Sequence, residues 1–168
     1  MSRLLAPLLF AFAACTIKGE ASKEERRQLM EGLTLSQSTK GAPAWTLKSR
    51  LALLREDEKR ATLSDPVMEF YRDGKAVSHV TALSGEMNTE THDVRLSSSV
   101  VLDSYDDHSH LTTTVLDYSS ARQRFTTAAA IQLRRPEGTL HGKGLDASPD
   151  LSEIRIYDQR SVLSGTQP

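Results

Sequence analysis

The sequence predicts an all-β body over residues 44 to about 160, built from about a dozen short antiparallel strands. Three observations predict it. Apolar residues recur at every second position from Trp45 onward, the period of a strand with one buried face. Turn-forming residues punctuate these runs at short intervals. The chain also superimposes on itself at a shift of 31 residues, which aligns Leu63, Val94, Phe125 and Ile156. The same shift brings Leu96 onto Thr127, Val100 onto Ile131 and Leu102 onto Leu133, so each unit reads as strand, small-residue break, strand, turn and returning strand.

Ahead of this body the chain opens on an apolar run, residues 4–14, that stops at Cys15, the only cysteine in 168 residues. The run is too short to span a bilayer, which takes about 20 apolar residues. Arg3, the apolar run and the small pair Ala13–Ala14 have the shape of a secretory signal. The stretch "FAAC" (residues 12–15) is similar to the lipobox of bacterial lipoproteins, where the thiol is joined to diacylglycerol and the chain is cut before the cysteine. Each buried acyl CH₂ contributes about 0.8 kcal/mol, so two or more chains anchor stably. Residues 1–14 are therefore expected to be a lipoprotein signal peptide and Cys15 the lipidation site. A cleaved signal with a chance cysteine and a short uncleaved anchor are the alternatives. Residues 15–43 read as a polar tether; within them "SKEERRQLMEGL" is compatible with two helical turns, with Ser22 as N-cap and Glu25 three residues on.

The body follows element by element. Trp45, Leu47, Ser49, Leu51 and Leu53 alternate with Thr46, Lys48, Arg50 and Ala52, which argues a half-buried strand. "REDEKR" (residues 55–60) is a charged turn, Ala61 and Leu63 start a second run, and Asp65-Pro66 breaks it before "VMEFY" resumes with Met68 and Phe70. Asp73-Gly74 is a strong hairpin signal. The next strand carries Val80 and Ala82 on one face and is expected to end at Gly85. In "DVRLSSSVVLDSY" the positions Val94, Leu96, Ser98, Val100 and Leu102 share a face; "DDHS" turns the chain, and "HLTTTVLDY" returns with Leu116 and Tyr118. "RFTTAAAIQLRR" aligns Phe125, Thr127, Ala129, Ile131 and Leu133. "TLHGKGLDA" and "SEIRIYD" complete the series, with Gly142 and Gly144 read as a bulge or close strand approach, and residues 161–168 are expected to be a flexible tail.

Composition narrows the function. A net charge of −1 gives no electrostatic footprint for nucleic acid. One cysteine leaves no internal disulfide and no Cys-rich zinc site. Ser, His and Asp occur, but no nucleophile elbow places them, so no catalytic residues, cofactor or metal are assigned. "DDHSH" (residues 106–110) groups ligand-type side chains where a tight turn is expected, and turn formation accounts for its aspartates. Aromatics make up 5% of the chain, and inward positions are mostly Val, Leu, Ile, Ala and Thr. Two sheets lined in this way either leave a slot between them or pack as a narrow sandwich.

The order of "TA..G" (Thr81, Ala82, Gly85), "V.L....V.L", "L.T..L.Y" (Leu111 to Tyr118) and "G.GL.A" (Gly142, Gly144, Leu145, Ala147) resembles the LptC family of the lipopolysaccharide export bridge and, more loosely, the related LptA/OstA-like proteins. "AWTLKSRLALL" looks like that family's first strand, and the likeness covers about residues 41–158. The resemblance implies an open, twisted antiparallel β-jellyroll of two sheets with a hydrophobic groove between them. It implies non-enzymatic transfer: acyl chains of lipopolysaccharide are received from an inner-membrane ABC transporter and passed to an LptA-like jellyroll joined by edge-strand pairing. The groove candidates are Trp45, Leu47, Leu51, Leu53, Met68, Phe70, Val80, Val94, Leu96, Val100, Leu102, Leu116, Tyr118, Phe125, Ile131 and Leu133, for each of which plain core packing is the competing reading. Arg122, Arg124, Arg134 and Arg135 are rim cations for lipid phosphates or solvated strand ends. The family is usually held by an N-terminal transmembrane helix, whereas this chain carries a lipobox. The expectation is a periplasm-facing, lipid-anchored protein at the inner membrane, with Thr16 after the cysteine leaving the outer membrane open. The alternative class is a membrane-tethered β-scaffold that binds only protein partners.

Overall fold

A computed structural model describes residues 27–39 and 41–163, with side chains through residue 160. The expected signal peptide, Cys15 and residues 164–168 lie outside the described residues. The strands are β1 (Arg27–Thr39), β2 (Ala42–Arg55), β3 (Arg60–Ser64), β4 (Val67–Arg72), β5 (Lys75–Thr81), β6 (Ser84–Asn88), β7 (Val94–Ser104), β8 (His110–Ser119), β9 (Arg124–Arg135), β10 (Gly138–Ala147), β11 (Ile154–Ile156) and β12 (Arg160–Leu163). All join one hydrogen-bonded sheet in the order β11-β10-β9-β8-β7-β5-β4-β2-β3-β6, with β1 added to β2, β12 to β10, and β6 closing back onto β7.

That closure makes the sheet a jellyroll. The first half of β2 pairs with β4 through Trp45–Phe70 and Leu47–Met68, and its second half with β3 through Ala52–Leu63. β7 does the same in mirror order: Val94 to Ser97 pair with β6, and Val101 to Ser104 with β5. Each long strand thus serves two layers and must bend between them. On β7 the bend is at Ser98 and Ser99, both left-handed at φ 65° and 54°. Pairing slips alongside it on β8, and again between β8 and β9 and between β9 and β10. β-Bulges of this kind add a residue and sharpen the local twist. They line up as a crease, about which one half of each strand folds over the other. Ring contacts confirm the facing layers: Phe70 on β4 lies 5.2 Å from Phe125 on β9, although the two strands are not sheet neighbours.

The bends explain where sequence periodicity and structure part. On β2, Trp45, Leu47 and Ser49 are buried, but the next buried residue is Ala52, and Leu51 and Leu53 are half-buried on the opposite phase. The Ser49 hydroxyl donates to the carbonyls of Ser64 (2.8 Å) and Leu51 (2.6 Å), tying off a crease where the alternation slips by one. A one-residue slip exchanges the faces of everything beyond it. Ser98, expected inward, is exposed in the β7 bend.

Two boundaries also move. Residues 27–39, read as tether, form β1, an edge strand antiparallel to the whole of β2, with Leu33 and Leu35 half-buried. Its polar composition gave no strand signal because an edge strand is held chiefly by backbone pairing to one neighbour. Residues 161–163 of the expected tail join Arg160 to form β12 on β10. Gly85 does not end a strand but sits inside β6, a five-residue strand too short and polar to show a period. The Asp73-Gly74 turn forms as read, with both residues left-handed at φ 51° and 75°.

Gly142 marks where β10 meets β11. A Cβ there would lie 2.2 Å from Ile156 Cγ2 and 2.9 Å from the Tyr157 carbonyl. Gly142→Ala should therefore destabilise the protein by about 1–3 kcal/mol, with amide protection lost first over residues 154–163. Unchanged protection at Tyr157, whose N–H donates to the Gly144 carbonyl, would refute this close-approach role.

Candidate functional site

The apolar face of the bent sheet closes on itself. Of the groove candidates, Trp45, Leu47, Met68, Phe70, Val80, Val94, Leu96, Val100, Leu102, Leu116, Tyr118, Phe125, Ile131 and Leu133 are buried in one cluster; Leu51 and Leu53 lie outside it. The groove candidates left out Leu63, Val77, Met87, Leu111, Leu145 and Leu151, which complete the cluster together with Ala52, Ala61, Ala82 and Ala147. Leu111 and Leu145 stand on strands whose phase slips at the crease, and Leu151 lies in a loop, so alternation alone could not find them.

The interior is widest in aromatic surface at one end. Tyr118 and Phe70 meet edge-on at 4.9 Å, Tyr118 and Phe125 lie tilted at 5.2 Å, and Trp45 approaches Tyr118 and His92 edge-on at 6.4 Å. Edge-to-face pairs add about 0.5–1.5 kcal/mol each beyond buried area. Burial and the nearby Asp93 carboxylate push the Tyr118 phenol up to about 12, so it stays neutral through the physiological range.

Above this cluster, where the ends of the two layers meet, lies a cleft of about 360 Å³. Phe70 and Val77 lie in its floor beside Tyr118. Ala44, Tyr71 and Arg72 form one wall, and Arg122 and Arg124 the other. Arg124 is committed to Asp146 and Glu153. Arg135 reaches Asp107 and the Ser109 hydroxyl instead of the cleft. Arg122 is exposed, and among the described residues no carboxylate pairs with it. It is the one of the four expected rim cations that faces the cleft uncommitted; Arg134 is exposed beside His110 in the sheet register. In "DDHSH", Asp106 pairs with Arg72, Asp107 accepts from Ser109, and His110 Nδ1 bonds Asp103, so these side chains organise a turn.

The cleft is bounded on its far side by residues 148–153, the β10–β11 connection. Its centre is Asp150. Burial raises the Asp150 pKa, but the hydroxyls of Ser148 and Ser152, the Ser152 N–H and the Arg72 guanidinium outweigh burial and hold the carboxyl below its ordinary value. A depressed folded pKa stabilises the protein above the unfolded value, about 3.9, and that stabilisation is lost as pH falls through the folded value. Thermal denaturation should show a drop in Tm below about pH 4 that is smaller in Asp150→Asn; equal drops in both proteins would refute the assignment. Separately, Phe125→Ala should cost about 3–5 kcal/mol in denaturant unfolding, since its ring is fully buried between the layers.

The chemistry on offer is apolar enclosure with a cationic margin and two sheet ends: β1 at one, β11 and β12 at the other. No curated protein matches the chain. Residues 15–163 match the family described as lipopolysaccharide-assembly, LptC-related. The match spans both halves of the bent sheet, from β1 through β12, and so covers every element that encloses the apolar interior. The chain belongs to the LptC family, whose role is lipopolysaccharide transport in the periplasm at the inner membrane.

Proposed function

We propose that this chain is a non-enzymatic carrier that takes lipopolysaccharide from an inner-membrane ABC transporter and passes it along a periplasmic β-jellyroll bridge toward the outer membrane. The observation that carries the reading is the cleft between the layers, with Phe70, Val77 and Tyr118 at its floor and the uncommitted Arg122 at its margin. Acyl chains cost roughly 25 cal/mol per Å² of apolar surface left in water, so even a partial enclosure favours their residence. Sugars and phosphates stay outside, where Arg122 can meet an anion. A passive groove cannot bias direction; the ATP hydrolysed by the transporter supplies that.

Partners would join at the sheet ends. Among the described residues, β1 pairs only with β2, and β11 and β12 only with β10. Each end presents backbone groups that a neighbouring jellyroll extends by strand addition, one end toward the transporter complex and the other toward an LptA-like protein. Cys15 would hold the chain on the membrane through its lipid, in place of a transmembrane helix.

A second reading is a tethered β-scaffold that binds proteins only, and a specific observation favours it: the interior residues bury one another almost completely. A photoreactive residue placed at Val100, at Phe125 or at exposed Arg95 separates the two. Lipopolysaccharide adducts at Val100 and Phe125 but not at Arg95 are the expected result. No adduct at either inward position in folded protein would leave the scaffold.

A further inference from the structure

Residues 148–153 leave the end of β10 beside Phe125 in one layer, yet their hydrogen bonds run to the other. Three successive carbonyls accept from it. Ser78 Oγ on β5 donates to Pro149 O (2.6 Å), Ser104 Oγ on β7 donates to Asp150 O (2.9 Å), and Arg135 Nη2 on β9 donates to Leu151 O (3.3 Å). The Asp150 carboxylate, 8% exposed, pairs with Arg72 at the end of β4. The segment therefore crosses the seam where the two layers meet and fastens one to the other. Between these polar ties it inserts one apolar side chain, Leu151, which is fully buried in the core cluster. Leu151 is held at φ 58°, a left-handed conformation that a leucine adopts only at a cost. Its position adjoins the cleft that Phe70, Val77 and Tyr118 floor.

This combination fits a closed gate better than a plain structural loop. A loop kept only for stability gains from a relaxed backbone and an uninterrupted apolar contact. Here the contact is one leucine wide, the backbone is strained, and the fastening is hydrogen bonds and two ion pairs, Arg72–Asp150 across the seam and Arg124–Glu153 at the segment's end, that water can replace. We propose that residues 148–153 form a strap across the seam, that Leu151 occupies space an acyl chain takes when the strap lifts, and that Arg72 and Asp150 are its latch. The proposal rests on the lipid-groove reading above and adds to it where the chain enters. It also accounts for a groove protein whose interior is closed: the leucine stands in for the lipid, so the apolar face is never left exposed to water.

The test compares the full-length protein with Arg72→Gln and Leu151→Ala, each carrying a photoreactive residue at Phe125, with lipopolysaccharide as the probe. Amide exchange is followed at Leu151, whose N–H donates to the Ser148 carbonyl, and at Ser152, whose N–H donates to Asp150. Protection of the β7 and β8 amides confirms that a variant is folded, and if one variant fails this, the other carries the comparison. The expected result is at least tenfold faster exchange at Leu151 and Ser152 in Arg72→Gln, with several-fold more lipopolysaccharide adduct in both variants than in the parent. Leu151→Ala should also gain more in Tm on adding lipopolysaccharide than the parent does. Faster exchange with an unchanged adduct yield would overturn the strap as a gate and leave the groove standing. Unchanged exchange in Arg72→Gln would overturn the latch. No adduct in any of the three proteins would remove the groove reading, and the gate with it.

Discussion

The constraint on which this structure depends is that a sheet with one apolar face must cover it, and this sheet has only itself for the purpose. No helix lies among the described residues to pack against it. Covering is achieved by folding the long strands across a shared crease. The crease needs residues that tolerate left-handed or bulged backbone, which is what Ser98, Ser99 and Gly144 supply. The apolar core then lies inside the fold: the aromatic group around Tyr118, the aliphatic rows of β7 to β9, and the buried residues of β3 and β6. A barrel would solve the same problem by closing into a ring. The bent sheet leaves a seam along one side and, among the described residues, strands with an unpaired edge at both ends.

The seam is chemically unlike the interior. Inside, contacts are non-directional and additive, and opening them exposes apolar surface. At the seam, layers are joined by Ser78, Ser104, Arg72 and Arg135 to a six-residue connection. Such ties specify one geometry, and each contributes only a modest net free energy because water can take its place. Local opening is drawn from the least stable part of a structure while the global fold persists. The seam chemistry is what the proposed strap rests on: a margin held by exchangeable ties beside a core held by apolar burial.

Much of the fold was legible in the sequence because strand periodicity survives wherever a strand serves a single layer. Val94 and Leu96, then Val100 and Leu102, read correctly on either side of the β7 bend, and the 31-residue shift reflects the actual register of β7 and β9, which face β8 from its two sides through Leu102, Leu111 and Leu133. Reading failed where the crease intervenes. Leu51 and Leu53 were placed with Trp45 and Leu47 because nothing in "TLKSRLAL" announces that Ser49 binds the Ser64 carbonyl fifteen residues on. β1 was hidden for a different reason: an edge strand needs a partner's backbone more than it needs an apolar pattern.

The sequence by itself determined the β class, the turn positions, the family and most of the buried face, because each of these follows from local chemistry: side-chain alternation, turn-forming dipeptides and a spaced set of motifs. Only the tertiary structure decided which residues meet across the layers. Phe70 against Phe125, Arg72 against Asp150 and Ser104 against the Asp150 carbonyl are contacts between residues 46 to 78 apart, and Leu151 enters the core from a loop. Such contacts are set by where a crease folds the sheet, a property of all the long strands acting together, and no single stretch of sequence contains it.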